Sequence, residues 1–92
     1  MKERFLKTDQ IKIDILEYLN QNSKWHSYYD LQKKLNVNYE SLKLHLMFLE
    51  KLGLVELRII TSEESITGKG SYNVKINENG DSFLKRLQAN GN

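Results

Sequence analysis

The sequence predicts a single α+β domain over residues 1–92, built as three helices, a two-stranded hairpin and a closing helix. Three observations predict it. Apolar residues recur at helical spacing in three separate windows of the first half. From Leu54 onward the period changes, and both V-E-L-R-I-I-T and S-Y-N-V-K-I alternate as paired antiparallel strands do. Short polar residues suited to capping stand before each helical window, and a polar, glycine-bearing segment separates the two alternating runs.

Composition narrows the class. With 39% apolar and 28% charged residues the chain reads as an ordinary globular domain rather than a disordered or membrane-embedded one. No run approaches the roughly 20 apolar residues of a membrane span, so no membrane partner is expected. The start, MKERFLKTDQ, is charged throughout and lacks the apolar centre of a signal peptide; the expected location is intracellular and cytoplasmic, with a cellular, viral or plasmid origin left open. Without cysteine there is neither a disulfide scaffold nor a thiolate metal site, and two separated histidines do not build a metal centre. No metal, cofactor or catalytic set is expected. The net charge of +2 is compatible with a nucleic-acid partner but is too small to hold one by charge alone.

The first helix is expected over residues 8–22. Thr8 or Asp9 caps it, Ile11, Ile15, Leu16 and Leu19 form its inner stripe, and the polar cluster Asn20 to Ser23 ends it. Trp25 and His26 form a short extended link, with Trp25 assigned to the core. A second helix over 27–35 opens with S-Y-Y-D, an acidic variant of the capping box, and turns Leu31 and Leu35 inward. Asn36, Val37 and Asn38 make a tight turn, and Asn38 caps the third helix, over 39–52. Leu42, Leu46, Leu49 and Leu52 are its expected core face, and Gly53 supplies the left-handed residue that ends it. The hairpin occupies 54–76, with S-E-E-S-I-T-G-K-G-S at its tip. Asn77 caps the last helix, over 78–89, which carries Phe83, Leu84 and Leu87.

Three helices with a tight turn between the second and third, followed by a hairpin, is the layout of a winged helix-turn-helix. In that layout the third helix enters the major groove of double-stranded DNA, which is wide enough to admit it, and the hairpin reaches the adjoining backbone. L-N-V-N-Y-E-S-L-K-L-H-L-M-F-L-E-K-L-G-L-V resembles the recognition segment of winged-helix regulators of the MarR and ArsR kind, and is most similar to archaeal transcriptional regulators. S-Y-N-V-K-I-N-E-N-G-D-S-F-L-K-R-L is similar to the ending of that group. The resemblance implies DNA-binding transcriptional regulation, as a homodimer joined through terminal helices.

Successive residues turn by 100°, which puts Tyr39, Glu40, Lys43, Leu44 and Met47 at the entrance or outer side of the third helix. Lys43 and Tyr39 suit guanine acceptors or phosphates, Glu40 a cytosine amino group, and Leu44 or Met47 a thymine methyl. Many regulators that this segment resembles carry a polar residue in place of Leu44. Ser27 and Tyr28 begin the second helix, where backbone N–H groups and the dipole favour a phosphate; capping alone also accounts for Ser27. Arg58, Lys69 and Ser71 are the hairpin's candidate DNA contacts, Lys69 foremost because G-K-G lets backbone approach closely. Phe83 and Leu87, with Phe5 and Leu6 at the other end of the chain, form either monomer core or a dimer seam. Two further readings stay open: a winged helix used for protein assembly through Leu44, Met47 and Phe48, and a non-specific architectural DNA-binding protein. His45 reads as a packed histidine. G-K-G-S lacks the glycine spacing of a nucleotide-binding loop.

Overall fold

The computed structural model describes residues 7–60 and 71–90. Helix α1 (Lys7–Gln21) leads through strand β1 (His26–Ser27) to helices α2 (Tyr28–Leu35) and α3 (Tyr39–Lys51). Strands β2 (Val55–Ile60) and β3 (Ser71–Ile76) and helix α4 (Glu78–Asn90) complete the order, an α+β winged helix-turn-helix. Lys69, Phe5 and Leu6 lie outside the described residues.

Local chemistry sets the junctions that aim α3. The Ser27 hydroxyl accepts the Asp30 backbone N–H at 3.0 Å and so caps α2. Asn36 ends that helix in the left-handed conformation, at φ 53, which asparagine tolerates better than most residues. Two residues later the Asn38 side chain accepts from the backbone of Glu40 and Ser41, at 2.9 and 3.3 Å, and starts α3. Gly53, at φ 76, turns the chain out of α3.

The core sits where the inner stripes of the helices meet the sheet. Ile15, Leu19, Leu31, Leu42, Leu46 and Val74 are fully enclosed there, and this apolar burial is the main force holding the layers together. Asn77 joins two elements: its Oδ1 accepts the Gly80 N–H at 2.9 Å, and its Nδ2 donates to the Gly53 carbonyl at 3.0 Å. Helix α4 is thereby capped and tied to the end of α3. At Gly80 the helix passes so close to the Leu54 carbonyl and the Ile76 side chain that a Cβ would overlap both.

Four details differ from the sequence reading. Helix α1 already includes Thr8 and Asp9, so neither stands ahead of it as its cap. The sheet has a third strand: order β1-β3-β2, all antiparallel, with His26 opposite Val74 and Ser27 opposite Asn73. A two-residue strand has no periodicity to detect. That strand also moves Trp25 out of the core, because alternate residues point to opposite faces; His26 takes the buried place, and the Trp25 ring instead underlies Arg58, whose guanidinium carbon is 5.7 Å from the ring centre. Leu52 is 56% exposed, since it is the C-cap of α3 and lies beyond the last packed turn, while Leu54 becomes buried in its stead.

Candidate nucleic-acid interface

Helix α3 packs inward through Leu42, Leu46 and Leu49. Its opposite side is therefore held outward. Glu40, Leu44, Met47 and Lys51, spaced four, three and four residues apart, are all exposed and form one strip along that side. Leu44 is 66% exposed and Met47 52%. Lys51 was not among the sequence candidates, although its helical spacing from Leu44 and Met47 could have identified it.

On one flank of this strip lies the hairpin. A cleft between α3 and the sheet is lined by Tyr28, Lys43, Met47, Glu50, Leu57 and Tyr72, among others. The Lys43 ammonium stands 5.7 Å from the centre of the Tyr39 ring, a cation–π arrangement that keeps it beside the entrance of α3. Tyr39 in turn is tilted against Tyr28, with ring centres 6.5 Å apart, and Tyr28 stacks on Tyr72 at 5.5 Å. This row of rings connects the recognition helix, the start of α2 and β3.

The Tyr28 side chain is buried within that row, which concerns its ring and not the backbone N–H groups for which the start of α2 is expected to favour a phosphate. Burial, with the nearby Glu50, Tyr39 and Tyr72 adding to it, pushes its hydroxyl up to about 12, so it stays protonated. The Ser27 hydroxyl is engaged as the α2 cap.

Arg58 is placed differently from the α3 candidates. It pairs with Asn73 across β2 and β3, on the sheet face opposite the Leu57–Val74 pair that faces the core. Its guanidinium lies over Trp25. Ser71 pairs with Ile60 at the end of the ladder next to the connection between β2 and β3, its hydroxyl accepting from Asn73 Nδ2 at 3.1 Å. The structure thus brings Tyr39, Lys43 and Met47 together at the α3–hairpin cleft, with Glu40 and Leu44 beside them; Arg58 also lines that cleft although its guanidinium is stacked over Trp25, and Ser71 stands on the sheet face away from α3.

On the other flank, Phe48 and Leu52 turn toward α1 and α4. The Lys12 ammonium sits 5.0 Å from the centre of the Phe48 ring. Phe83 and Leu87 of α4 line an apolar groove with Phe48, Leu52, Ile13 and Leu16. The surplus apolar residues of α3 therefore divide: Leu44 and Met47 face out beside the hairpin, and Phe48 and Leu52 belong to the groove.

Both histidines are structural in their surroundings. His26 Nε2 is 2.7 Å from the Asn22 carbonyl oxygen and its Nδ1 is 3.4 Å from Asp30 Oδ2, which pins the end of α1 to the start of α2. His45 is half-buried, and its imidazole is lowered from the usual histidine range by burial and then by the charge of Lys12. Among the described residues no group of three or more His, Cys, Asp or Glu side chains is arranged to hold a metal ion, and no helix is long and apolar enough to cross a membrane.

This geometry, an outward helix beside a hairpin on a helix-turn-helix base, defines the winged-helix class. Solved structures share it. The chain is similar to a transcriptional regulator homologue from Pyrococcus horikoshii, with 22% identity, coverage of 88% of this chain and 75% of that one, and a TM-score of 0.76. It is also similar to a candidate transcriptional regulator from Thermoplasma acidophilum, with 22% identity, coverage of 89% and 81%, and a TM-score of 0.74. A possible transcriptional regulator from Methanosarcina mazei matches at 18% identity, with coverage of 92% and 69% and a TM-score of 0.61. The archaeal resemblance read from the sequence thus has its counterpart in the fold, and none of these neighbours is described as a MarR or ArsR protein. No family model matches the chain, and no curated protein matches it by sequence.

Proposed function

We propose that this protein binds double-stranded DNA in a sequence-specific manner and acts as a small transcriptional regulator, with no catalytic step. The observation that carries the reading is the exposed outer strip of α3, held outward by the buried leucines opposite it and flanked by the hairpin cleft. That strip has the dimensions of a helix able to enter the major groove. Lys43 at the cleft and Lys51 at the far end of the strip supply cations for phosphates. The archaeal neighbours, described as regulators, support the same reading.

A homodimer belongs to this proposal. The apolar groove lined by Phe48, Leu52, Phe83 and Leu87 lies on the flank of α3 away from the hairpin, so a second copy seated there leaves the outer strip free. Phe5 and Leu6, just ahead of α1, are proposed to join that seam. Two outer strips related by a two-fold axis would read half-sites about one helical turn apart.

Titration with duplex DNA over a range of salt concentrations tests the function. The expected result is binding that weakens linearly on a log–log plot as salt rises, in proportion to the phosphates engaged. Absence of binding in dilute salt would overturn it. Selection from a random duplex pool separates specific regulation, which enriches a two-fold-symmetric motif, from architectural binding, which enriches none.

A further inference from the structure

The outer strip of α3 has an unusual chemistry for a base-reading surface. Direct readout of guanine relies mainly on arginine or lysine, and readout of adenine on asparagine or glutamine, because these side chains match two acceptors or a donor–acceptor pair on one base edge. Helix α3, YESLKLHLMFLEK, contains no arginine, asparagine or glutamine. Lys43 is drawn aside over Tyr39. The two middle positions of the strip, Leu44 and Met47, are apolar and more than half exposed. The strip's polar groups stand at its ends, Glu40 in the first turn and Lys51 in the last.

We infer that the protein reads thymine C5-methyl groups in the major groove, through Leu44 and Met47, with a cytosine amino group as the neighbouring contact of Glu40. The inference rests on the duplex-binding reading above and names the bases that reading leaves unspecified. Of the groups on major-groove base edges, the thymine methyl alone is apolar, and so it alone gains by covering a leucine or methionine. A duplex also satisfies the ends of the strip: Lys51 at its far end and Lys43 beside its entrance meet phosphates on either side of the groove, and Glu40 accepts the cytosine amino hydrogen rather than facing a phosphate. The bases beneath Leu44 and Met47 are then bounded by charge contacts. Met47, which also lines the hairpin cleft, has an unbranched side chain that adapts to the exact position of a methyl group.

Deoxyuridine is the direct probe, because it keeps the pairing edge and the O4 acceptor of thymine and removes only the methyl. Duplexes of mixed sequence, with every thymine either retained or replaced by deoxyuridine, are titrated with the full chain at one low salt concentration. The expected result is binding weaker by about three- to fivefold for each methyl lost beneath the strip, the amount that removing one buried carbon from an apolar contact gives. Leu44→Ala with Met47→Ala should bind the two duplexes equally, and since both side chains are exposed this variant should retain the wild-type circular dichroism spectrum and melting temperature. A second probe replaces cytosine by 5-methylcytosine in duplexes lacking thymine; tighter binding by the wild type, and none of that gain in the double variant, supports the same contact.

Equal affinity of the wild type for thymine and deoxyuridine duplexes, with salt-dependent binding intact, overturns the thymine inference while leaving DNA binding in place. A thymine preference that survives in the folded double variant likewise overturns the assignment to Leu44 and Met47. Failure to bind either duplex in dilute salt overturns this inference and the proposed function together.

Discussion

Tyr28 and Tyr72 stack with ring centres 5.5 Å apart and planes 28° from parallel. The pair joins the first residue of α2 to β3, and through Tyr39 it reaches the first turn of α3. The orientation of the hairpin relative to the outer strip is therefore set by aromatic packing as well as by the β-ladder.

Removing one ring of the pair should loosen the hairpin. Tyr72→Ala is expected to cost about 1 kcal/mol of stability, in the range found for aromatic pairs beyond simple burial, measured by urea denaturation. Duplex affinity should fall as well. Tyr72→Phe should retain both stability and affinity, because the stack needs the ring and not the hydroxyl; a phenylalanine variant as impaired as the alanine would discredit the stacking role.

Lys43 and Glu50 line the same cleft with opposite charge. Lys43→Ala should weaken duplex binding and reduce the slope of log affinity against log salt by about one, as loss of a single phosphate contact does. Glu50→Ala should leave affinity unchanged or raise it, because it removes a carboxylate facing the path of the phosphates. Equal losses from both variants in the same titration would show that the cleft does not face the backbone.

His45 should make stability depend on pH. Its imidazole titrates lower in the folded protein than in the unfolded chain, for which the ordinary value is 6.5. The unfolded state therefore takes up the proton first, and the stabilising contribution of His45 is present above that value and lost as pH falls below it. Urea midpoints of the wild type and His45→Gln, compared from about pH 7.5 down to about 5, should diverge, with the wild type losing more. Parallel curves would show that His45 makes no contribution to that dependence.

Gly80→Ala should be destabilising even though alanine is the better helix former. The added methyl would overlap the Leu54 carbonyl and the Ile76 side chain, and overpacking of this kind costs about 1–3 kcal/mol. Thermal melting of the two proteins measures it. A melting temperature equal to or above the wild type would mean that α4 can shift away from the sheet without loss.

What the sequence determined by itself is what short-range chemistry controls. Ser27, Asn38 and Asn77 cap helices because their side-chain oxygens reach N–H groups two or three residues away, and Gly53 ends α3 because of its own backbone freedom. The inner stripe of α3 was legible from spacing, and its exposed opposite side followed from that. Tertiary structure alone decided the matters that join distant parts of the chain. Strand β1 exists because His26 and Ser27 find Val74 and Asn73, almost fifty positions away, and that pairing is what exchanges Trp25 for His26 in the interior. The burial of Tyr28 against Tyr72, the placing of Arg58 over Trp25, and the split that sends Phe48 to the α4 groove while Leu44 stays exposed have the same origin. Periodicity specifies which side of an element is apolar, but the partner that covers it is fixed only when the chain closes on itself.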